Sequence, residues 1–247
     1  MHDIKHLDIA AGTPEARRIA YRHIIGNGPT LVFLPGYMSD MAGSKAEALL
    51  GAAREAGRPC LLLDYSGCGK SEGDFAEGTL SRWRDEVLAL IEERVRGEVL
   101  LVGSSMGGWL MLLVARGLGD RLAGMIGIAA APDFTRWAYD EAQRAALAGG
   151  EVIYEYNPYG PEPTPTHPGF FADAERQLQL DDVIPIDART HLLHGQRDEE
   201  VPWKTSLRLA EALRSESIQV TLVKDGDHRL SREQDIALLQ SVVHGFY

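Results

Sequence analysis

Three side chains of this chain could carry out acyl transfer together: Ser105, Asp198 and His228. Ser105 lies in Val99-Leu100-Leu101-Val102-Gly103-Ser104-Ser105-Met106-Gly107-Gly108-Trp109, where an apolar run enters Gly-x-Ser-x-Gly and a second apolar run follows. A serine on a sharp turn between a strand and a helix presents its hydroxyl at the sheet edge. Glycine suits positions 103 and 107, because side chains there would press on neighbouring backbone. A serine hydroxyl is a weak nucleophile at neutral pH and needs a base. Histidine, with an ordinary pKa of about 6.5, suits that task. A carboxylate behind it fixes the tautomer and stabilises the imidazolium.

Position along the chain selects the partners. Asp198 follows the buried run Thr190–His194 directly, and its rivals are Glu199, Glu200 and Asp187. His228 follows the last expected strand and precedes the last expected helix, a place no other histidine occupies. Both would stand on loops at the carboxyl edge of a parallel sheet, the edge that carries Ser105. Asp225 and Asp227 read as turn residues. An oxyanion would need two donors. The backbone N–H of Met106, next after the nucleophile, is one. The loop after Thr30–Leu34 supplies the other: Gly36 lets it turn and the Tyr37 N–H donates. On that reading Tyr37→Phe matters little unless the phenol also touches substrate. Trp109 and Trp203 could wall an acyl pocket but read first as packing. The glycines of Tyr65–Ser71 lack both phosphate-loop spacings, so that loop reads as a turn.

These groups converge only if the elements between them alternate. Strands are expected at Arg18–Ile25, Thr30–Leu34, Cys60–Asp64, Val99–Gly103, Ala123–Ala129, Thr190–His194 and Val220–Val223. Helical spacing marks about 45–55, 80–95, 106–118, 203–213 and 233–243. Continuous apolar strands alternating with helices imply a mostly parallel sheet covered on both faces. The rhythm breaks at 133–185. There Phe134–Leu147 could be helical, whereas the prolines between Tyr156 and Pro165 forbid regular helix. An insertion of this length is usually functional. The expected division is a core of residues 1–132 and 186–247 with 133–185 as a small cap.

Composition excludes several classes. A formal charge of −11 disfavours nucleic acid and anionic membranes. No apolar stretch is long enough for a membrane span. Cys60 and Cys68 are the only cysteines, so no disulfide framework is expected, and no Cys/His cluster has metal-ligand spacing. Neither metal nor cofactor is expected. The N-terminus has no secretory pattern. The cytoplasm is the expected compartment, with the mitochondrion as the alternative if a presequence has been removed.

The motifs resemble a known family. From about Thr30 to Val243 the chain resembles the α/β-hydrolases. It is most similar to the branch of mitochondrial palmitoyl-protein thioesterases and acyl-glucuronide esterases. The residues carrying this are Phe33-Leu34-Pro35-Gly36-Tyr37-Met38-Ser39-Asp40-Met41, Asp64-Tyr65-Ser66-Gly67, Gly103-Ser104-Ser105-Met106-Gly107-Gly108-Trp109-Leu110-Met111 and Leu192-Leu193-His194-Gly195. Asp198, Val201-Pro202-Trp203 and Asp227-His228-Arg229 complete the set. The resemblance implies an α/β-hydrolase fold and a serine hydrolase with Ser105, Asp198 and His228 as its triad. It implies cleavage of thioesters on acylated cysteine or of carboxylic esters such as acyl glucuronides. The expected substrate is a small-molecule ester or an acylated protein. Two alternatives stay open: acyl transfer to an alcohol or amine, and a hydrolase fold reused to bind a ligand without turnover. A dehalogenase would carry aspartate in place of Ser105.

Overall fold

A computed structural model describes residues 4–10, 12, 13, 16–158 and 160–247. The chain opens with β1 (Lys5–Ile9) and β2 (Arg17–Ile24), an antiparallel pair. Alternation follows: β3 (Thr30–Leu34), α1 (Ser44–Glu55), β4 (Cys60–Leu63), α2 (Leu80–Arg94), β5 (Val99–Ser104), α3 (Met106–Leu118) and β6 (Leu122–Ile128). Next come α4 (Phe134–Trp137), α5 (Glu141–Ala148), a hairpin of β7 (Ile153–Glu155) and β8 (Thr164–Thr166), and α6 (Pro168–Ala174). The chain then returns to the sheet with β9 (Thr190–Gly195), α7 (Lys204–Ala212), β10 (Ile218–Val223) and α8 (Glu233–His244).

The main sheet has eight strands in the order β1-β2-β4-β3-β5-β6-β9-β10. From β4 to β10 every pairing is parallel, and β2 runs against both its neighbours. This is the expected mostly parallel sheet. Side-chain alternation along β3 divides the core. Val32 and Leu34 face the layer of Trp83, Leu90 and Leu110, on α2 and α3. Leu31 and Phe33 face Leu49, Leu50 and Leu239, on α1 and α8. α3 is buried on every side from Met106 to Ala115, as its almost wholly apolar sequence requires. Every main-sheet strand from β3 to β9 thus delivers its carboxyl end to one edge.

The structure adds to the expectation or departs from it at several points. β1 was not anticipated; it is a short edge strand with charged, largely exposed residues, so periodicity offers little signal. β2 stops at Ile24, leaving Ile25 85% exposed. Within 133–185 no buried strand is expected, and the two three-residue strands that pair there are only partly buried. Pro165 is tolerated in β8 because a two-stranded hairpin leaves a free edge. The helical stretch expected at Phe134–Leu147 is two helices, the second opened by a capping box between Asp140 and Gln143.

Candidate active site

Ser105 occupies the turn between β5 and α3 with φ 55° and ψ −123°. A non-glycine residue there costs about 1–3 kcal/mol and persists only when its surroundings over-determine it. They do so here. The Ser105 N–H donates to the Ile128 carbonyl at 2.9 Å, and its own carbonyl accepts from Gly108 N–H at 2.8 Å and Ala131 N–H at 3.0 Å. The glycines admit the close approach. A Cβ at Gly107 would stand 2.1 Å from the Leu34 carbonyl oxygen, and one at Gly103 would stand 2.4 Å from the Gly107 carbonyl oxygen. The strained turn therefore follows from helix α3 wedging against the ends of β3 and β5.

The structure brings Ser105, His228 and Asp198 into one line. Ser105 Oγ lies 3.1 Å from His228 Nε2, and His228 Nδ1 lies 2.8 Å from Asp198 Oδ2. Asp198 is held from both sides: its Oδ1 accepts from the N–H groups of Glu200 at 2.9 Å and Val201 at 2.8 Å. Burial pushes its carboxyl pKa up, but hydrogen bonds from His194 and His228 outweigh that and hold it well below the usual carboxylate range. With the carboxylate ionised, His228 Nδ1 carries the proton and Nε2 is free to accept from the serine hydroxyl. The His228 loop is tied to α1, where the Lys45 ammonium donates to the Arg229 carbonyl. Burial, with Arg229 nearby, lowers the Lys45 pKa to about 8.

The other residues weighed from the sequence take distinct places. Asp187 pairs with Arg214 at the surface, and Asp225 pairs with Arg232. Asp227 accepts from the Leu230 N–H in a turn. Glu200 stands closer, with Oε2 3.8 Å from His228 Nε2. Trp109 is wholly buried and its indole N–H donates to the Gln177 carbonyl; neither it nor Trp203 borders the cavity over Ser105. Gly36 lies against the nucleophile: a Cβ there would be 3.3 Å from the Ser105 Cβ. Asp64 pins the same loop by accepting from the Met41 N–H at 2.7 Å.

A cavity of about 1000 Å³ opens over Ser105 and His228. Its wall includes Tyr37 and Met38 from the loop after β3, and Trp137, Tyr156 and Thr164 from the 133–185 segment. The Tyr37 phenol does not act alone: it donates to the Pro165 carbonyl at 3.1 Å, and its ring packs edge-on against Phe75, Phe134 and Phe170. Burial raises its pKa far above the ordinary phenol value. Sequence reasoning missed this link, and it missed His194. His194 is fully buried, with Nε2 3.1 Å from Asp198 Oδ2. The available signal was a histidine at the end of an apolar strand, since a buried imidazole must find partners. Among the described residues, no group of His, Cys, Asp or Glu could hold a metal ion, and no helix is long and apolar enough to cross a membrane.

Residues 31–239 match the model of the alpha/beta hydrolase family. The chain belongs to the α/β-hydrolase family. Its mouse (Mus musculus) relative named palmitoyl-protein thioesterase ABHD10, mitochondrial, is 38% identical over 91% of this chain and 77% of its own length. The solved structure of alpha/beta hydrolase domain-containing protein 10 from mouse superposes with a TM-score of 0.89 at 33% identity, covering 98% of this chain and 97% of that one. A solved structure from Agrobacterium vitis S4 reaches a TM-score of 0.93 at 35% identity, covering 100% and 99%. The mouse relative's name carries the mitochondrial compartment, the alternative raised above, and lends no support to the cytoplasm.

Proposed function

We propose that this α/β-hydrolase is a serine hydrolase cleaving acyl thioesters or carboxylic esters through an acyl-enzyme. The observation that carries the reading is the continuous line from Asp198 Oδ2 through His228 to Ser105 Oγ, at 2.8 and 3.1 Å. His228 Nε2 takes the hydroxyl proton as Ser105 Oγ attacks the acyl carbon. The oxyanion forms beside the amino end of α3, where the Met106 N–H and the helix dipole favour negative charge. The Tyr37 N–H is the second donor, on the loop that Gly36 lets approach Ser105. His228 then hands its proton to the departing thiolate or alkoxide. Water repeats the sequence, attacking the acyl carbon as His228 accepts its proton, and Ser105 is regenerated.

A thioester substrate is supported by the name of the mouse relative, and the mitochondrion is the compartment we assign on the same ground. The large cavity suits an acyl chain with its leaving group. We read residues 133–185 as the cap that selects between them, since that segment contributes Trp137, Tyr156 and Thr164 to the wall. The reading is tested by labelling with a fluorophosphonate probe and by hydrolysis of a graded series of acyl thioesters and oxygen esters. Wild-type protein is labelled, and Ser105→Ala loses both labelling and turnover, by about 10⁴-fold or more in kcat. A wild-type protein indifferent to the probe and to every ester in the series overturns it.

A further inference from the structure

Asp198 serves two histidines, not one. Its Oδ2 lies 2.8 Å from His228 Nδ1 and 3.1 Å from His194 Nε2. His194 Nε2 also faces the Val201 carbonyl at 3.0 Å. Both neighbours are acceptors, so that nitrogen must carry the proton. On the far side of the ring, Nδ1 meets the Ser206 hydroxyl at 2.7 Å and accepts from it when the ring is neutral. His194 and Ser206 are almost wholly buried and sit on β9 and α7, elements that pack directly on each other. A five-membered chain therefore runs Ser206, His194, Asp198, His228, Ser105.

We infer that His194 is a positioning residue that sets the basicity of His228 through Asp198. The inference rests on the proposed triad. A buried carboxylate oxygen shared between two N–H donors is a weaker acceptor for each than it would be for one alone. The second donor spreads the carboxylate's negative charge, so it stabilises the His228 imidazolium less. The other carboxylate at the ring, Glu200, has Oε2 3.8 Å from His228 Nε2, acts on the opposite nitrogen and is untouched by a change at residue 194. The His194 contact also fixes the rotation of the Asp198 carboxyl group, because Oδ1 is already held by two backbone N–H groups and Oδ2 by two rings. Without His194, the carboxylate would aim its whole charge at His228.

Two variants separate this role from mere packing. In His194→Gln the side-chain amide nitrogen falls near the place of Nε2 and can still donate to Asp198. In His194→Asn it falls near the place of Nδ1, keeping Ser206 but leaving Oδ2 with one donor. Both are polar and smaller than histidine, so simple loss of packing moves them together. The measurement is the pH dependence of kcat/KM on p-nitrophenyl butyrate, whose acid limb reports the base of the free enzyme. The asparagine variant should move that limb upward by about one pH unit and lower kcat about tenfold. The glutamine variant should return the limb to its wild-type position. An asparagine limb that stays in place or moves down, or limbs that shift equally in both variants, overturns the inference. Failure of the triad reading looks different: Ser105→Ala would keep its activity whatever happens at residue 194.

Discussion

The sheet edge that holds Ser105 and the 133–185 segment that stands over it are built by different means. The edge is made of backbone forced together: wholly buried strands β3 and β5, a helix apolar from Met106 to Ala115, and glycines with no room for a methyl group. The overlying segment is made of side chains meeting across space. Phe134 packs against Tyr37, Trp109, Tyr139 and Phe170, and Tyr139 shares a hydrogen bond with Thr166. Its helices are short and its strands are three residues each. A close-packed edge holds reacting atoms still, which bond-making needs. A segment joined by aromatic contacts can change its lining without disturbing that edge. On the proposed function, the difference teaches where each kind of change should be felt: kcat in the edge, KM and substrate choice above it.

The largest effect that would break this comparison comes at Asp198. Asp198→Asn should lower kcat by about 10⁴-fold, because the amide presents the wrong partner to His228 Nδ1–H. The same variant tests stability against pH. The folded carboxyl is depressed, so its stabilisation is complete above the ordinary value of about 3.9 and is lost as the pH falls through the depressed folded value. Denaturant titrations should show the gap between wild type and Asp198→Asn narrowing below about pH 4.

Gly107→Ala comes next. Its methyl group meets the Leu34 and Pro35 carbonyl oxygens at 2.1 and 2.5 Å, so the turn must open. Thermal unfolding should show a loss of about 1–3 kcal/mol, and probe labelling of Ser105 should slow even at temperatures where the variant is folded. If labelling is unchanged, the edge is less rigid than described.

Phe134→Ala sharpens the other side. Phe134 is only half-buried, so the loss should stay below the ~3–5 kcal/mol of a fully buried ring. KM for long acyl chains should rise more than kcat falls; an equal fall in kcat for all chain lengths would erase the distinction. The smallest effect is expected at the joint between the regions. Tyr37→Phe removes the hydrogen bond to the Pro165 carbonyl, a loss of about 0.5–1.5 kcal/mol. Stopped-flow acylation should be nearly unchanged for a short ester and modestly slower for a long one.

The turn that carries Ser105 was legible because its causes are local. An apolar run, a glycine pair and a second apolar run define a strand, a tight turn and a buried helix within one short window. The positions of Asp198 and His228 were legible from order alone, since parallel strands carry their following loops to one edge. His194 was not, because its meaning depends on Ser206 from α7 and on a loop carbonyl at Val201. The Tyr37 phenol was not, because its partner lies in β8, 128 residues along the chain. β1 escaped because pairing with β2, not its own pattern, makes it a strand.

By itself the amino-acid order determined the alternation of strand and helix, the family, and the residue types available for acyl transfer. Those follow from periodicity and short-range sterics, which act between near neighbours. Only the folded chain decided which side chains come within hydrogen-bond reach of one another, how Asp198 divides its donors, and how the segment over the cavity grips the loop beside Ser105. Such contacts join residues far apart in the chain, and their energies depend on distances and angles that come into being only when the layers pack.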